Sequence, residues 1–344
     1  MAAVTLDNVR LRGLASCVPK ARVSNLDCAE DKKSERERLV RNIGILNRRI
    51  CYPWQYFSDL AKTAAERVLE AVEWRKEDVD ALIVVTQSPD YLIPATAIIL
   101  QDRLKLRHST IAYDINLGCS GYPFGIYTVG SMLSSGGIRK ALLLVGDKCA
   151  SLSDPLFSDC GTATALEYDP GAPPINFDLN SDGSGYRAIM LPVGGHREPT
   201  QFHHLLQHRD ADGQMRRDAD LILDGTAVLN FSTQRIPPAI RQLCEYANTP
   251  LESIEYFVLH QANRMINETI RKKLGLASER VPTTLYEYGN TSSASVPLTM
   301  TVCLRDALAQ RPATLLLSGF GIGLSWGSCI VRTSEIAMPP LVEL

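Results

Sequence analysis

The chain has 344 residues, 45% hydrophobic and 22% charged, with a net charge of −2, which is ordinary globular usage. That balance offers no basic field for nucleic acid, and no apolar run is long enough to cross a bilayer. The start, Met1 to Leu6 followed by Asp7, lacks the basic and apolar stretches of an export signal, and nine cysteines without C-x-x-C spacing fit reduced thiols in a cytoplasm.

Taken in chain order, Ser58 is expected to cap a helix in which Leu60, Ala64, Val68, Ala71 and Val72 recur at helical spacing. Ala81 to Val85 follows as a continuous apolar strand, and Ile111 to Ile115 reads as another. Next comes Asn116-Leu-Gly-Cys-Ser-Gly, a turn of small residues, and then an apolar helical run from Phe124 to Met132. The run Ala141 to Val145 is again strand-like. From about Gly171 to Asp224 periodicity is weak, and that stretch is expected to hold the connection and surface excursions. Within it, His203, His204 and His208 have no cysteine nearby and are read as a solvated loop.

Ala227 to Tyr246 reads as a helix interrupted near Pro237 and Pro238, followed by a strand, Tyr256 to Leu259. Helices are expected from about Met265 to Lys273 and from near Val296, with a strand, Thr314 to Leu317, after them. The chain therefore repeats itself. Asp80-Ala-Leu-Ile-Val-Val against Glu255-Tyr-Phe-Val-Leu-His, the Cys119 turn against Ser292 to Ala294, and Leu142-Leu-Leu-Val-Gly against Leu315-Leu-Leu-Ser-Gly are offset by similar separations. Two similar α/β halves are implied, divided here as 1–175 and 176–344. Continuous apolar strands call for helix layers on both faces and for mainly parallel sheets.

Cys119 stands out among the cysteines. Gly118 and Gly121 permit a tight strand-to-helix turn, which puts the thiol at a helix N-terminus, where the dipole favours thiolate. A buried cysteine acting as a small apolar group is the plainer alternative. His260 leaves the strand Tyr256 to Leu259 at the end where α/β folds gather ligands, although a satisfied core histidine is as common. Asn290 lies in a small-residue turn, where asparagine is an ordinary turn former. Glycines at 319, 321, 323 and 327 let a backbone approach a ligand closely, without the pattern of a dinucleotide site. In a pseudo-twofold fold these turns converge on one cleft.

Five motifs carry a resemblance: Gly118-Cys-Ser-Gly, Cys160-Gly-Thr-Ala-Thr-Ala-Leu-Glu, His260-Gln-Ala-Asn, Tyr288-Gly-Asn-Thr-Ser and Gly319-Phe-Gly-Ile-Gly-Leu-Ser-Trp-Gly. In this order and spacing the chain resembles β-ketoacyl-acyl-carrier-protein synthase III along nearly its whole length. The resemblance implies the five-layered αβαβα thiolase fold, built from two duplicated halves, and a homodimer. It implies that Cys119 takes an acyl group from a thioester, with backbone N–H groups of Cys119 and Ile322 receiving the oxyanion. His260 and Asn290 then hold malonyl-acyl-carrier-protein as it loses CO₂, and the enolate attacks the acyl-enzyme. No metal or redox cofactor is implied.

The substrate entrance departs from the family pattern. In Arg38-Leu-Val-Arg-Asn-Ile-Gly-Ile-Leu-Asn-Arg, Gly44, Ile45 and Arg48 match, while Arg38 replaces a tryptophan and Asn42 an arginine that hold coenzyme A in the family. The starter carrier, acyl-coenzyme A or acyl-acyl-carrier-protein, is thereby left open. Arg264 stands one place before the family's docking arginine, with Met265 in the matching position, and Arg271, Lys272 and Lys273 are candidates to meet an acidic carrier protein. Pro89-Asp-Tyr-Leu-Ile-Pro matches the loop that closes the partner's acyl pocket, and Ile93, smaller than the usual phenylalanine, leaves room for a starter longer than acetyl. Asn42, Arg48, Ile93 and Gly321 are the expected substrate contacts. Two other readings are an acyltransferase that passes the group to an oxygen or nitrogen nucleophile without decarboxylation, and a noncatalytic partner subunit.

Overall fold

The computed structural model describes residues 3–152, 154–210, 213 and 215–344; Met1 and Ala2, part of the export-signal reading, lie outside the described residues. The first strands are β1 (Ala3–Leu6), β2 (Val9–Val18), a small ribbon of β3 (Arg22–Ser24) and β4 (Asn47–Arg49), then β5 (Ala81–Val85) and β6 (Ile111–Ile115). They are followed by β7 (Lys140–Asp147), β8 (Cys160–Tyr168), β9 (Ile175–Ser181) and four short strands, β10 (Ile189–Met190), β11 (His208–Arg209), β12 (Met215–Arg216) and β13 (Ile222–Leu223). The last four are β14 (Tyr256–Leu259), β15 (Thr314–Gly321), β16 (Ser325–Arg332) and β17 (Val342–Glu343).

One sheet runs β17-β2-β8-β7-β5-β6 and the other β1-β9-β16-β15-β14. Both are mixed rather than mainly parallel: β5 is parallel to β6 and β7, and β14 to β15, whereas β8 and β16 run antiparallel to their neighbours. The continuous apolar run reports burial on both faces, and strand direction is a separate matter. In β5, Ala81, Ile83 and Val85 enter the central core while Leu82 and Val84 enter the outer one. In β15, Leu315 and Leu317 face the centre and Leu316 the opposite outer core.

The helices are α1 (Lys33–Ile43), α2 (Phe57–Ala71), α3 (Thr96–Arg103), α4 (Gly121–Leu133), α5 (Gly225–Tyr246), α6 (Arg264–Leu274), the single turn α7 (Leu285–Tyr288), α8 (Ser295–Cys303) and α9 (Arg305–Gln310). Helices α4 and α8 form the middle layer, each touching strands of both sheets. Helices α2 and α3 cover the outer face of the first sheet, and α5, with α6 against it, covers the second. This is the expected five-layered thiolase fold, in which α4 and α8 are equivalent elements of the two halves. Among the described residues, no helix is long and apolar enough to cross a membrane.

Three local expectations change. Ser58 lies within the first turn of α2, and the cap position is Tyr56, whose N–H donates to the Asp59 carboxylate at 2.9 Å. Helix α5 runs unbroken through Pro237 and Pro238. Pro237 lacks the N–H that would bond the Thr233 carbonyl, and the Lys273 ammonium of α6 donates to that oxygen instead at 3.0 Å. Finally, the stretch 171–224, whose residues 211, 212 and 214 lie outside the described ones, includes β9, an interior strand with Ile175 and Phe177 buried. Its Ile-x-Phe-x-Leu alternation is the period-2 signal of a strand.

Candidate active site

The expected turns converge. Cys119 precedes α4, Asn290 and Ser292 precede α8, His260 leaves β14, and Gly321 and Ile322 sit at the β15–β16 turn; all line one cavity of about 700 Å³. Because α4 and α8 occupy the same layer, their N-terminal ends open onto the same space. Hydrogen bonding from the backbone N–H groups of Ile322 and Cys119 and from the Ser292 side chain favours the Cys119 thiolate.

Electrostatically the thiol differs from the expectation. Burial pushes the Cys119 thiol up to about 11, outweighing the hydrogen bonds that lower it, and the nearby Asp147 carboxylate also raises it.

His260 is 2% exposed, and burial pulls its imidazole down to about 3, so it is neutral at ordinary pH. Its Nδ1 lies 2.7 Å from the Ser295 hydroxyl, which also accepts the Gln261 N–H at 3.3 Å, and its ring meets Phe320 edge to face. Asn290 accepts the Ser292 N–H on Oδ1, while its Nδ2 reaches the Ala262 carbonyl only at 3.4 Å. One amide hydrogen is left to face the cavity.

The other expected contacts lie elsewhere. Arg48 is buried in the scaffold, with Nε donating to Asn25 Oδ1 at 3.0 Å and Nη1 to the Ser151 carbonyl at 2.7 Å. Asn42 is exposed on α1, away from the cavity wall. Ile93 is 86% exposed, beside the exposed Tyr91 and Leu92, and does not line this chain's own cavity. Of the basic trio on α6, Arg271 pairs with Glu268 at 2.8 Å and Lys273 is held by Thr233, which leaves Lys272 as the exposed charge nearest the expected docking role. His204 is buried rather than solvated, its Nδ1 accepting the Gln201 N–H at 3.1 Å.

Several lining residues escaped the sequence reading. Ile189, Leu191, Leu221 and Leu223, from the stretch read as surface excursion, form an apolar wall with Leu156 and Val228. Cys149 lines the cavity too. Asp147 is buried at its edge; an acidic residue ending an apolar strand, at the strand end where ligands gather, was the available signal.

Comparison with known proteins gives a consistent result. A family model described as 3-oxoacyl-[acyl-carrier-protein (ACP)] synthase III matches residues 113–183, and one for the C terminal part of the same family matches 244–333. The β-ketoacyl-[acyl-carrier-protein] synthase III of Streptococcus gordonii is 32% identical over 325 residues, covering 94% of this chain and 98% of the relative. The putative 3-oxoacyl-[acyl-carrier-protein] synthase 3 of Campylobacter jejuni is 30% identical over 342 residues, covering 96% and 95%. Among solved structures, the 3-oxoacyl-(acyl-carrier protein) synthase of Burkholderia xenovorans LB400 matches with a TM-score of 0.91 at 34% identity, over 99% of each chain.

Proposed function

Since this chain belongs to the 3-oxoacyl-[acyl-carrier-protein] synthase III family of acyl-transferring condensing enzymes, we propose that it carries out the family's two half-reactions at this cavity. Cys119 attacks an acyl thioester, and the N–H groups of Cys119 and Ile322 receive the oxyanion, one such donor being worth about 3 to 4 kcal/mol in kcat. His260 and Asn290 then donate to the thioester oxygen of malonyl-acyl-carrier-protein, so that loss of CO₂ leaves a stabilised enolate. Its carbon displaces Cys119 from the acyl group and yields a β-ketoacyl thioester. The convergence of Cys119, His260 and Asn290 on one cavity carries this reading.

Hydrogen bonding supports the donor roles. With the Gln261 N–H on the Ser295 oxygen, the hydroxyl proton can turn to His260 Nδ1, the tautomer that leaves N–H on Nε2. A neutral imidazole and an amide remain donors across the working pH range. The intact pair also disfavours simple acyl transfer to an alcohol or amine.

Within the same proposal, the apolar wall and the cavity volume suit a starter longer than acetyl. Ile111 and Tyr113 expose apolar surface on β6, an edge strand, which supports a homodimer formed along that edge, with the Ile93 loop reaching the partner's cavity. Sedimentation tests that assembly. We retain 1–175 and 176–344 as the two thiolase halves, and a cytoplasmic setting in which the thiols stay reduced. Intact mass of the protein after a panel of acyl thioesters, with CO₂ trapped from labelled malonyl-acyl-carrier-protein, tests the function. An acyl adduct on Cys119 plus CO₂ release is expected; acylation with no CO₂ from any malonyl donor would overturn condensation.

A further inference from the structure

Gln87 follows β5 and Asn116 follows β6, and the parallel register that sets Val85 beside Ile115 brings the two to the same end of the sheet. Both are exposed and line the cavity, at the carboxyl ends of strands where such folds bind ligands. Gln87 Nε2 donates to Asn116 Oδ1 at 3.3 Å. The Gln87 backbone is anchored as well, its N–H donating to Asp147 Oδ1 at 2.7 Å. A Cβ built on Gly118 would stand 2.3 Å from Gln87 Oε1 and 2.7 Å from Ile322 Cγ2, so the carboxamide lies directly on the residue before Cys119. Only glycine at 118 leaves that room.

Two side-chain amides that share one hydrogen bond leave polar capacity over. Asn116 Nδ2 and Gln87 Oε1 make no hydrogen bond to other protein groups among the described residues, so a donor and an acceptor stand side by side. Exchanging O and N in both groups gives the same result. The apolar wall of Leu156, Ile189, Leu191, Leu221, Leu223 and Val228 offers nothing of the kind. A plain alkyl chain laid on the amide pair would strip water from both groups and return no hydrogen bond. A hydroxyl satisfies both, donating to the free oxygen and accepting from the free nitrogen. A carboxylate or an oxo group only accepts, and would meet the free oxygen lone pair to lone pair.

We propose that Gln87 and Asn116 form a polar subsite that selects a starter acyl group bearing a hydroxyl on its second or third carbon. The inference rests on the reading of Cys119 as the acyl acceptor and adds the class of starter. With the acyl carbonyl oxygen on the N–H groups of Cys119 and Ile322, the first carbons of the chain come beside Gly118 and the Ile322 side chain, where the amide pair lies. Carbons further out run along the apolar wall. The subsite decides which starter is taken and leaves the condensation step as it is.

The test is competition for Cys119. Wild-type protein receives, in excess over the thioesters, equal amounts of butyryl and 3-hydroxybutyryl thioesters on the same carrier, and separately of butyryl and 2-hydroxybutyryl. The adducts, one oxygen apart in mass, are counted on the intact protein. At least one hydroxyacyl starter is expected to win by about tenfold or more, the discrimination expected where the plain analogue leaves polar groups unpaired. Gln87→Met and Asn116→Leu keep the side-chain size and, at 87, the N–H bond to Asp147, and each should bring that ratio close to one. A hydroxyl at the far end of the chain, in 6-hydroxyhexanoyl against hexanoyl, should confer no advantage. The proposal fails if butyryl matches or beats both hydroxyacyl starters on wild type, a result that needs no variant to fold. It fails equally if either variant keeps the wild-type ratio, or if the far hydroxyl gains as much as the near one. Absence of any acyl group on Cys119 of wild type would instead overturn the nucleophile reading.

Discussion

The backbone N–H of Ser292 donates to Oδ1 of Asn290 at 2.9 Å, and this bond turns the amide nitrogen of Asn290 toward the cavity. Asn290→Ala should therefore still accept an acyl group on Cys119 while losing about a hundred- to a thousandfold in CO₂ release, the usual effect of deleting one such donor. Asn290→Asp should do no better, because a carboxylate only accepts hydrogen bonds and would leave the Ser292 N–H as its sole favourable contact. Counting trapped CO₂ against acyl-enzyme mass in one preparation checks both halves. Equal loss of the two would place Asn290 in the acylation step.

Gly321 makes the opposite prediction. A Cβ built on Gly321 would stand 2.7 Å from Cys119 Cβ and 3.1 Å from its sulfur, closer than packed atoms approach. Gly321→Ala should displace the nucleophile from the Ile322 N–H and slow acylation by at least about a hundredfold, as loss of an oxyanion donor does. Circular dichroism should show the fold retained. A variant that acylates normally would mean that the β15–β16 turn yields to the extra methyl.

His260 links the site to acid stability. Folded protein holds the ring neutral down to about 3, whereas an unfolded chain protonates it near the ordinary value of 6.5. The unfolded state thus binds the extra proton first as pH falls, so the stability tied to neutral His260 is complete above the unfolded value and is lost on acidification below it. Thermal melts taken from neutral to acid pH should fall more steeply for wild type than for His260→Asn. Parallel curves would show that the ring protonates freely in the folded protein.

How far the sequence could be read follows from which signals are local. Ala81 to Val85, Tyr256 to Leu259 and Thr314 to Leu317 appear as strands because burial on both faces leaves unbroken apolar runs. Cys119 and His260 drew notice because each follows a strand, where such folds collect ligands, whereas Asn290, which follows the single turn α7, was marked only by the family resemblance. What local pattern could not report was long-range pairing. Nothing near Arg48 announces that its guanidinium is spent on Asn25 and Ser151, and nothing near Pro237 announces Lys273, 36 positions on. The upward push on the Cys119 thiol likewise comes first from its burial, which distant segments supply.

The Lys273 bond can be tested directly. Lys273→Met should leave the Thr233 carbonyl without the Lys273 bond and cost about 1 kcal/mol, lowering the melting temperature by about 1 to 2 °C. Lys272→Met, at the neighbouring exposed position, should change stability little. If the two variants melt alike, α5 carries its prolines without help from α6.

Strands β1 and β17 lie on the far side from the halves in which they are written: β1 pairs with β9 in the second sheet, and β17 with β2 in the first. During synthesis, then, the first sheet lacks its β17 edge until Val342 and Glu343 have emerged. β9 must also wait for β16 to emerge before it gains its second neighbour. Until those pairings form, the nascent chain must shelter incomplete sheet edges. A cut just before β9 would leave each fragment without an edge strand supplied by the other.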